Sequence, residues 1–266
     1  MPESKHNLAM QEMGEGEPLV MIHGWGMHSE VWATLASQLA QSYHVICIDL
    51  PGHGHSDMIC PLQLLEVSVQ ILQQTPPQAH WLGWSLGANI VMSIAALAPQ
   101  HVLSLSLIAG NPCFARKRGW DSGMDVSILQ KFTEQLQQDY KKTLMQFLTL
   151  QTLGSSEAKK TLKQLKEKIF SVADANPQAL QQGLKILETV DMREQLSACD
   201  KHCLVVLGER DQLVPVAVAD FYNALPGKPQ VAVIEGAGHA PFISHAEQTA
   251  DLIETFLADI KIKQEE

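Results

Sequence analysis

His80-Trp81-Leu82-Gly83-Trp84-Ser85-Leu86-Gly87-Ala88 sets a serine between two glycines, each two residues away. A short apolar run, His80 to Leu82, leads into it, and Asn89 to Ala98 follows as a small-residue helix that stops before Pro99. A strand that turns sharply into a helix at such a serine holds it in a strained conformation with its hydroxyl exposed. A Cβ at Gly83 or Gly87 would then collide with the neighbouring strand or helix. A serine in an ordinary turn would need neither flanking element. Ser85 is therefore a candidate nucleophile.

Outward from this stretch, strands and helices alternate. Leu19 to Gly26 is a buried strand running into a glycine-rich turn, where the residue after His23-Gly24 can offer a backbone N–H to an anionic oxygen. That residue is Trp25, and its indole would also wall a pocket. His23 reads as bonding within the turn. Val31 to Ala40 is helical, Tyr43 to Leu50 a strand, and Pro51 to Ser56 a turn-rich loop. His53 and His55 in that loop lack a carboxylate or cysteine at ligand spacing, so the loop reads as structural. Leu62 to Gln74 is a helix and Val102 to Ala109 another strand. The alternation predicts a mainly parallel, doubly wound α/β sheet.

From Cys113 to Asp191 the rhythm is helical only. Ile128, Phe132, Leu136, Tyr140, Leu144 and Leu148 recur every four residues as one apolar stripe. Ser155 to Phe170, with outward lysines, and Pro177 to Val190 are further helices. The expected division is a core of residues 1–112 and 192–266 with an all-helical lid, 113–191, over the strand ends where ligands bind. The core resumes with the strand Cys203 to Gly208, followed by Glu209-Arg210-Asp211. A last strand, Gln230 to Ile234, runs into Gly238-His239, and Glu247 to Ile260 is the closing helix.

Ser85, Asp211 and His239 thus follow one another in the order serine, acid, histidine, the latter two just past strand ends. A neutral hydroxyl is a poor nucleophile; His239 would take its proton, and Asp211 would fix the imidazole tautomer. The backbone N–H groups of Leu86 and Trp25 would hold the oxyanion, each worth roughly 3 kcal/mol in comparable sites. Glu209 competes as the acid and His245 as the base. Neither a metal nor a cofactor is called for.

Composition sets the remaining bounds. With 266 residues, 45% apolar, the chain suits one large α/β domain or a core with an insertion. No run approaches the roughly 20 apolar residues of a membrane span, and the start, Met1 to Asn7, lacks the pattern of a signal peptide. Five cysteines without a disulfide spacing point to reduced thiols and a cytoplasmic location. Cys199, His202 and Cys203 lack the second ligand pair a zinc site needs. A net charge of −10 argues against nucleic acid as a partner. Yet Arg116 to Lys168 holds 11 basic and six acidic residues, a net of +5 against −15 for the rest. That stretch is either a solvated helical surface or a face for an acidic partner.

His23-Gly24-Trp25-Gly26, Asp49-Leu50-Pro51-Gly52-His53-Gly54, Gly83 to Ala88 and Gly238 to His245 together resemble the α/β-hydrolase superfamily across the whole chain. In the lid, Phe147 to Thr152 and Gly183 to Asp191 resemble more narrowly the BioH-type esterases, the pimeloyl-[acyl-carrier protein] methyl ester esterase family of biotin synthesis. This resemblance implies an α/β-hydrolase fold and removal of the methyl group that masks the distal carboxylate of a pimeloyl chain. That chain is carried on phosphopantetheine by an acyl carrier protein. Residues matching the family's pocket are Trp25, Ser85, Leu86, Phe147, Gln151 and His239. The family sets basic lid residues, largely arginines, against the acidic carrier; here Lys142, Lys159 and Lys163 are the docking candidates. Lysine offers a point charge without bidentate geometry, so the patch matters more than any single contact. The working expectation is a monomeric cytoplasmic enzyme with no membrane partner. A generalist carboxylesterase or carbon–carbon bond hydrolase acting on a free small molecule is the competing enzyme reading. A hydrolase-fold ligand receptor is the competing reading of another class.

Overall fold

The computed structural model describes residues 7–60, 62–172 and 174–265; the first residues of the chain, where no signal peptide was read, lie outside these. The chain opens with β1 (Met10–Met13) and β2 (Glu17–Ile22), then α1 (Ala33–Leu39), β3 (Tyr43–Ile48), α2 (Leu64–Leu72), β4 (Ala79–Trp84), α3 (Leu86–Leu97) and β5 (Val102–Ile108). Next come the helices α4 (Val126–Gln138), α5 (Tyr140–Thr152), α6 (Ala158–Ile169) and α7 (Pro177–Thr189). The core is completed by α8 (Arg193–Ser197), β6 (Cys203–Gly208), α9 (Val218–Asn223), β7 (Gln230–Ile234), α10 (Pro241–Ser244) and α11 (Ala246–Glu265).

The sheet order is β1-β3-β2-β4-β5-β6-β7, with β1 antiparallel to β3 and every other pair parallel. β4 is buried along its whole length, as expected of an interior strand covered on both faces. From β2 the chain crosses one way, through α1 to β3; from β4 it crosses the other way, through α3 to β5. Right-handed crossovers in opposite directions place α1 on one face of the sheet and α3 on the other. They also leave a crevice at the carboxyl ends of β2 and β4, where the direction reverses. Ile22 pairs with Gly83 across that junction, so the turn after β2 lies beside Ser85.

The sequence reading holds for the alternating core and needs adjustment at particular elements. Ile128 to Leu148 does not form one stripe on one helix. Asp139 leaves the helical region (φ −154°, ψ 90°), and its carboxylate accepts the Lys142 N–H at 3.0 Å, ending α4 and capping α5. A short polar side chain competes with the helix for its own backbone, and as an N-cap is worth about 1 kcal/mol. At the start of α4, Ile128 is exposed while Leu129 is buried, so the apolar stripe also misses its first member. The closing helix is also longer than read, from Ala246 to Glu265. The edge strand β1 had no reading at all. The two ends of the helical insertion meet where Met192 N–H donates to Pro112 O at 2.7 Å.

The turn after β2 is braced by buried polar groups. His23 Nδ1–H donates to Gly24 O at 2.8 Å and its Nε2 accepts the Leu50 N–H at 2.9 Å, which fixes a neutral imidazole. Asp49 Oδ1 accepts the Ser29 N–H at 2.7 Å and Oδ2 the His55 N–H at 2.9 Å. The Pro51 to Ser56 loop thus wraps a carboxylate; His55 contributes its backbone N–H, and His53 Nδ1 lies 3.1 Å from Pro51 O. Burial, then neighbouring His53, pushes His23 down to about 3; burial pushes His53 down to about 4. Burial alone would raise Asp49, but His23 and the His55 and Ser29 donors outweigh it and hold the carboxyl below its usual range.

These shifts give acid sensitivity a definite sign. Both imidazoles bind protons more weakly folded than unfolded, so the stability they contribute is complete above about pH 6.5 and is lost as pH falls toward 4. The Asp49 share is lost only below the ordinary carboxylate range. The urea midpoint should therefore fall between pH 7 and pH 5, and His53→Gln should flatten that fall. A midpoint constant over this interval in the parent protein would exclude buried neutral imidazoles.

Candidate active site

At the end of β4 the backbone turns at Ser85 with φ 55° and ψ −115°, outside the regions a serine normally adopts, and α3 starts at the next residue. The glycines serve close approach. A Cβ on Gly83 would run into Gly87 O, and one on Gly87 into Ile22 O at the end of β2. Ser85 N–H still donates to Ile108 O of β5 at 3.0 Å, so the sheet fixes the turn from below.

Ser85 Oγ lies 2.8 Å from His239 Nε2, and His239 Nδ1 lies 2.7 Å from Asp211 Oδ2. Asp211 Oδ1 accepts the N–H groups of Leu213 (2.8 Å) and Val214 (3.0 Å), which aims Oδ2 at the imidazole. A carboxylate can only accept, so Nδ1 carries the proton and Nε2 is left to take one from the Ser85 hydroxyl. Two close approaches assemble this line. A Cβ on Gly208, at the end of β6, would overlap Gly238 O, bringing the Asp211 and His239 loops together. His239 O accepts the Trp84 indole N–H at 2.7 Å, and Trp84 packs edge-on against Phe242 at 5.0 Å. Trp84 was not singled out in the sequence; its place inside the serine motif was the available signal.

The turn that carries Trp25 also reaches Ser85. A Cβ on Gly24 would sit 3.4 Å from Ser85 Cβ, so the Gly24–Trp25 backbone passes directly beside the serine. Among the described residues no acceptor engages the backbone N–H of Trp25 or of Leu86. The Leu86 amide is the first of α3, at the positive end of the helix dipole. These two amides thus remain candidates for holding an oxyanion, which requires donors not already engaged. The Trp25 indole meets Phe147 edge-on at 4.7 Å between ring centroids. Phe147 and Gln151, both on α5, are buried, and Gln151 Oε1 has no partner. Trp25, Ser85, Leu86 and His239 are buried with them. Ser85 is 2% exposed and His239 0%, so the helical insertion covers the site.

The competing groups have other occupations. Glu209 Oε2 accepts the Gly236 N–H at 2.9 Å and lies 3.5 Å from Arg210 Nε, and His245 Nδ1 lies 2.8 Å from Ser244 Oγ. Among the described residues no group of His, Cys, Asp or Glu is arranged to hold a metal ion, Cys199, His202 and Cys203 included. No described helix is long and apolar enough to cross a membrane. Lys142, Lys159 and Lys163 are all exposed. They are strung along α5 and α6, and Lys163 is 3.8 Å from Glu167.

Similarity to known proteins extends over nearly the whole chain. The α/β hydrolase fold family matches residues 17–246. The pimeloyl-[acyl-carrier protein] methyl ester esterase of Aliivibrio fischeri (strain MJ11) is 41% identical over 251 residues, covering 94% of this chain and 97% of that one. The protein of the same name from Xanthomonas oryzae pv. oryzae (strain MAFF 311018) is 41% identical over 249 residues, 93% of this chain and 98% of that one. Among solved structures, an esterase from Exiguobacterium antarcticum superposes with a TM-score of 0.82 at 22% identity, covering 96% of this chain and 95% of that one. A bromoperoxidase from Bacillus anthracis gives 0.83 at 20% identity, covering 94% and 95%. At those identities the structures speak to the fold alone, whereas the sequence relatives match through the helical insertion as well. The chain belongs to the α/β-hydrolase fold family, and within it to the group of pimeloyl-[acyl-carrier protein] methyl ester esterases.

Proposed function

We propose that this protein hydrolyses the methyl ester of pimeloyl-acyl carrier protein, releasing methanol and the free distal carboxylate for biotin synthesis. The observation that carries this reading is the uninterrupted relay Ser85–His239–Asp211, at 2.8 and 2.7 Å, in a chain that is 41% identical along its length to esterases of that name. The relatives' name states the substrate; the relay states the chemistry.

Ser85 Oγ attacks the ester carbonyl as His239 Nε2 takes its proton, and Asp211 stabilises the resulting imidazolium without taking a proton itself. Charge that develops on the carbonyl oxygen is met by the Leu86 and Trp25 N–H groups. His239 then protonates the departing methoxide, leaving an acyl-enzyme. A water molecule, deprotonated by His239, attacks that acyl group in turn and regenerates Ser85. Phe147, Gln151 and the Trp25 indole line the acyl chain.

Residues 113–191 act as a lid that lifts to admit the carrier's arm, since the serine is buried when the insertion is seated. The acidic carrier docks on the basic outer surface of α5 and α6, with Lys142, Lys159 and Lys163 contributing to the field. Spread along two helices, they act through summed charge rather than as a single anion site. The enzyme works as a cytoplasmic monomer.

Ser85→Ala should abolish turnover of every ester. Asp211→Asn should lower kcat by about 10⁴-fold, by analogy with the loss that follows a wrong histidine tautomer in a serine protease. Full activity in Asp211→Asn would remove the acid from the mechanism. The substrate is tested with methyl pimeloyl-acyl carrier protein beside a small p-nitrophenyl ester, at low and moderate salt. Efficient, salt-sensitive cleavage of the carrier ester supports the assignment; cleavage of the small ester alone leaves a generalist esterase. Changing Lys142, Lys159 and Lys163 together to Glu should raise KM for the carrier ester at least tenfold (roughly 0.5 kcal/mol or more per screened surface charge) and spare the small ester. Equal loss on both substrates would overturn the docking face.

A further inference from the structure

The helical insertion reaches the catalytic groups through two main-chain carbonyls. Leu180 O of α7 accepts the Trp25 indole N–H at 2.8 Å, and Gln151 O, near the end of α5, accepts the His239 N–H at 3.0 Å. Gln151 lies in the last turn of its helix, where carbonyls have no intrahelical donor and are free to accept. Leu180 lies inside α7, and the indole reaches its carbonyl because Gly183 is bare. A Cβ there would stand 2.8 Å from Trp25 Cδ1 and 3.2 Å from Nε1. Glycine is unfavourable in a helix interior, so its presence at the contact calls for a packing reason, and the indole is that reason. Phe147 closes against the ring, leaving the Trp25 side chain fastened between α5 and α7.

The backbone of Trp25 has less to hold it. It sits between Gly24 and Gly26, the latter at φ 72°, in a turn closed by Met27 N–H to Gly24 O at 3.2 Å. A donor stabilises an oxyanion only when it is held in place before the charge appears. A turn flanked by two glycines does not supply that rigidity by itself.

We propose that Trp25 is a positioning residue through its side chain: the bond from its indole to Leu180 O, made over Gly183, aims its backbone N–H at the oxyanion. The inference rests on the reading that this N–H is an oxyanion donor. With the insertion seated, the indole bond fixes the donor and the Gln151 carbonyl fixes the base. With the insertion lifted, both bonds are broken and the site is incompletely assembled. Closure over the correct substrate therefore completes the catalytic geometry, coupling lid position to chemistry.

Two variants test the tether from its two sides. Trp25→Phe keeps an aromatic ring and removes the N–H; Gly183→Ala leaves Trp25 intact and sets a Cβ against it. Each is assayed for kcat and KM on a small p-nitrophenyl ester, and for affinity toward a trifluoromethyl ketone, whose adduct with Ser85 carries an oxyanion, and toward a simple carboxylate inhibitor. Both variants should lower kcat on the order of tenfold, weaken the ketone by a similar factor, and leave KM and carboxylate affinity within about twofold. The double variant should be little worse than the worse single one, because both act on one contact. Unchanged kcat in both variants overturns the tether and leaves the oxyanion assignment intact. A fall in kcat with unchanged ketone affinity overturns the oxyanion role of Trp25 and the tether with it. A rise in KM alone reduces the indole to a pocket wall and also overturns the proposal. Thermal melting checks folding; should Trp25→Phe not fold, Gly183→Ala carries the same outcomes.

Discussion

The start of α3 lies against the end of β2 with no room for a single methyl group at Gly87, and the site depends on that closeness. It forces the chain to reverse between Gly83 and Gly87, and Ser85 absorbs the reversal by taking a positive φ. It also sets the first amide of α3 beside the serine and brings the Gly24–Trp25 turn alongside. Because the crossovers leave β2 and β4 in opposite directions, this junction is also where the sheet opens a crevice at its carboxyl edge. Strain, helix dipole and crevice coincide at one point for a single steric reason.

At Ser85, the relay is held by groups that are not themselves reactive. Backbone amides of Leu213 and Val214 orient the Asp211 carboxylate, and the Trp84 indole anchors the His239 loop from beneath. The Trp32, Trp84 and Phe242 rings fill the space under that loop. A side chain held by packing does not reorganise when charge develops, and this is what a proton relay requires. The buried His23 and Asp49 brace the backbone on either side of the oxyanion turn, at the expense of stability in acid, and none of their bonds is made to Trp25 itself.

The core was legible because its signals are local. A short apolar strand ending in a glycine-flanked serine, and an acid and a histidine each just past a strand, are patterns of residue type at fixed spacing. The insertion was legible only as helical. Its four-residue apolar repeat continued through Asp139, and periodicity alone does not distinguish an aspartate on a helix surface from one that caps the next helix. β1 escaped because a four-residue edge strand, Met-Gln-Glu-Met, carries little alternation to read. The competing acid and base, Glu209 and His245, could be set aside only when their own partners were seen.

By itself, the sequence determined which residues could react, in what order they follow along the chain and that each lies just past a strand, since side-chain chemistry and strand-to-helix spacing are written in residue identity. Tertiary structure alone decided how the insertion engages that machinery. The Leu180 and Gln151 carbonyls belong to the backbone, and any residue at those positions would have one. The Trp25 indole finds its acceptor 155 residues away, a distance over which no local pattern reaches. A main-chain acceptor leaves no mark on residue identity except indirectly, and here the trace is the bare backbone at Gly183, against which the tryptophan ring packs.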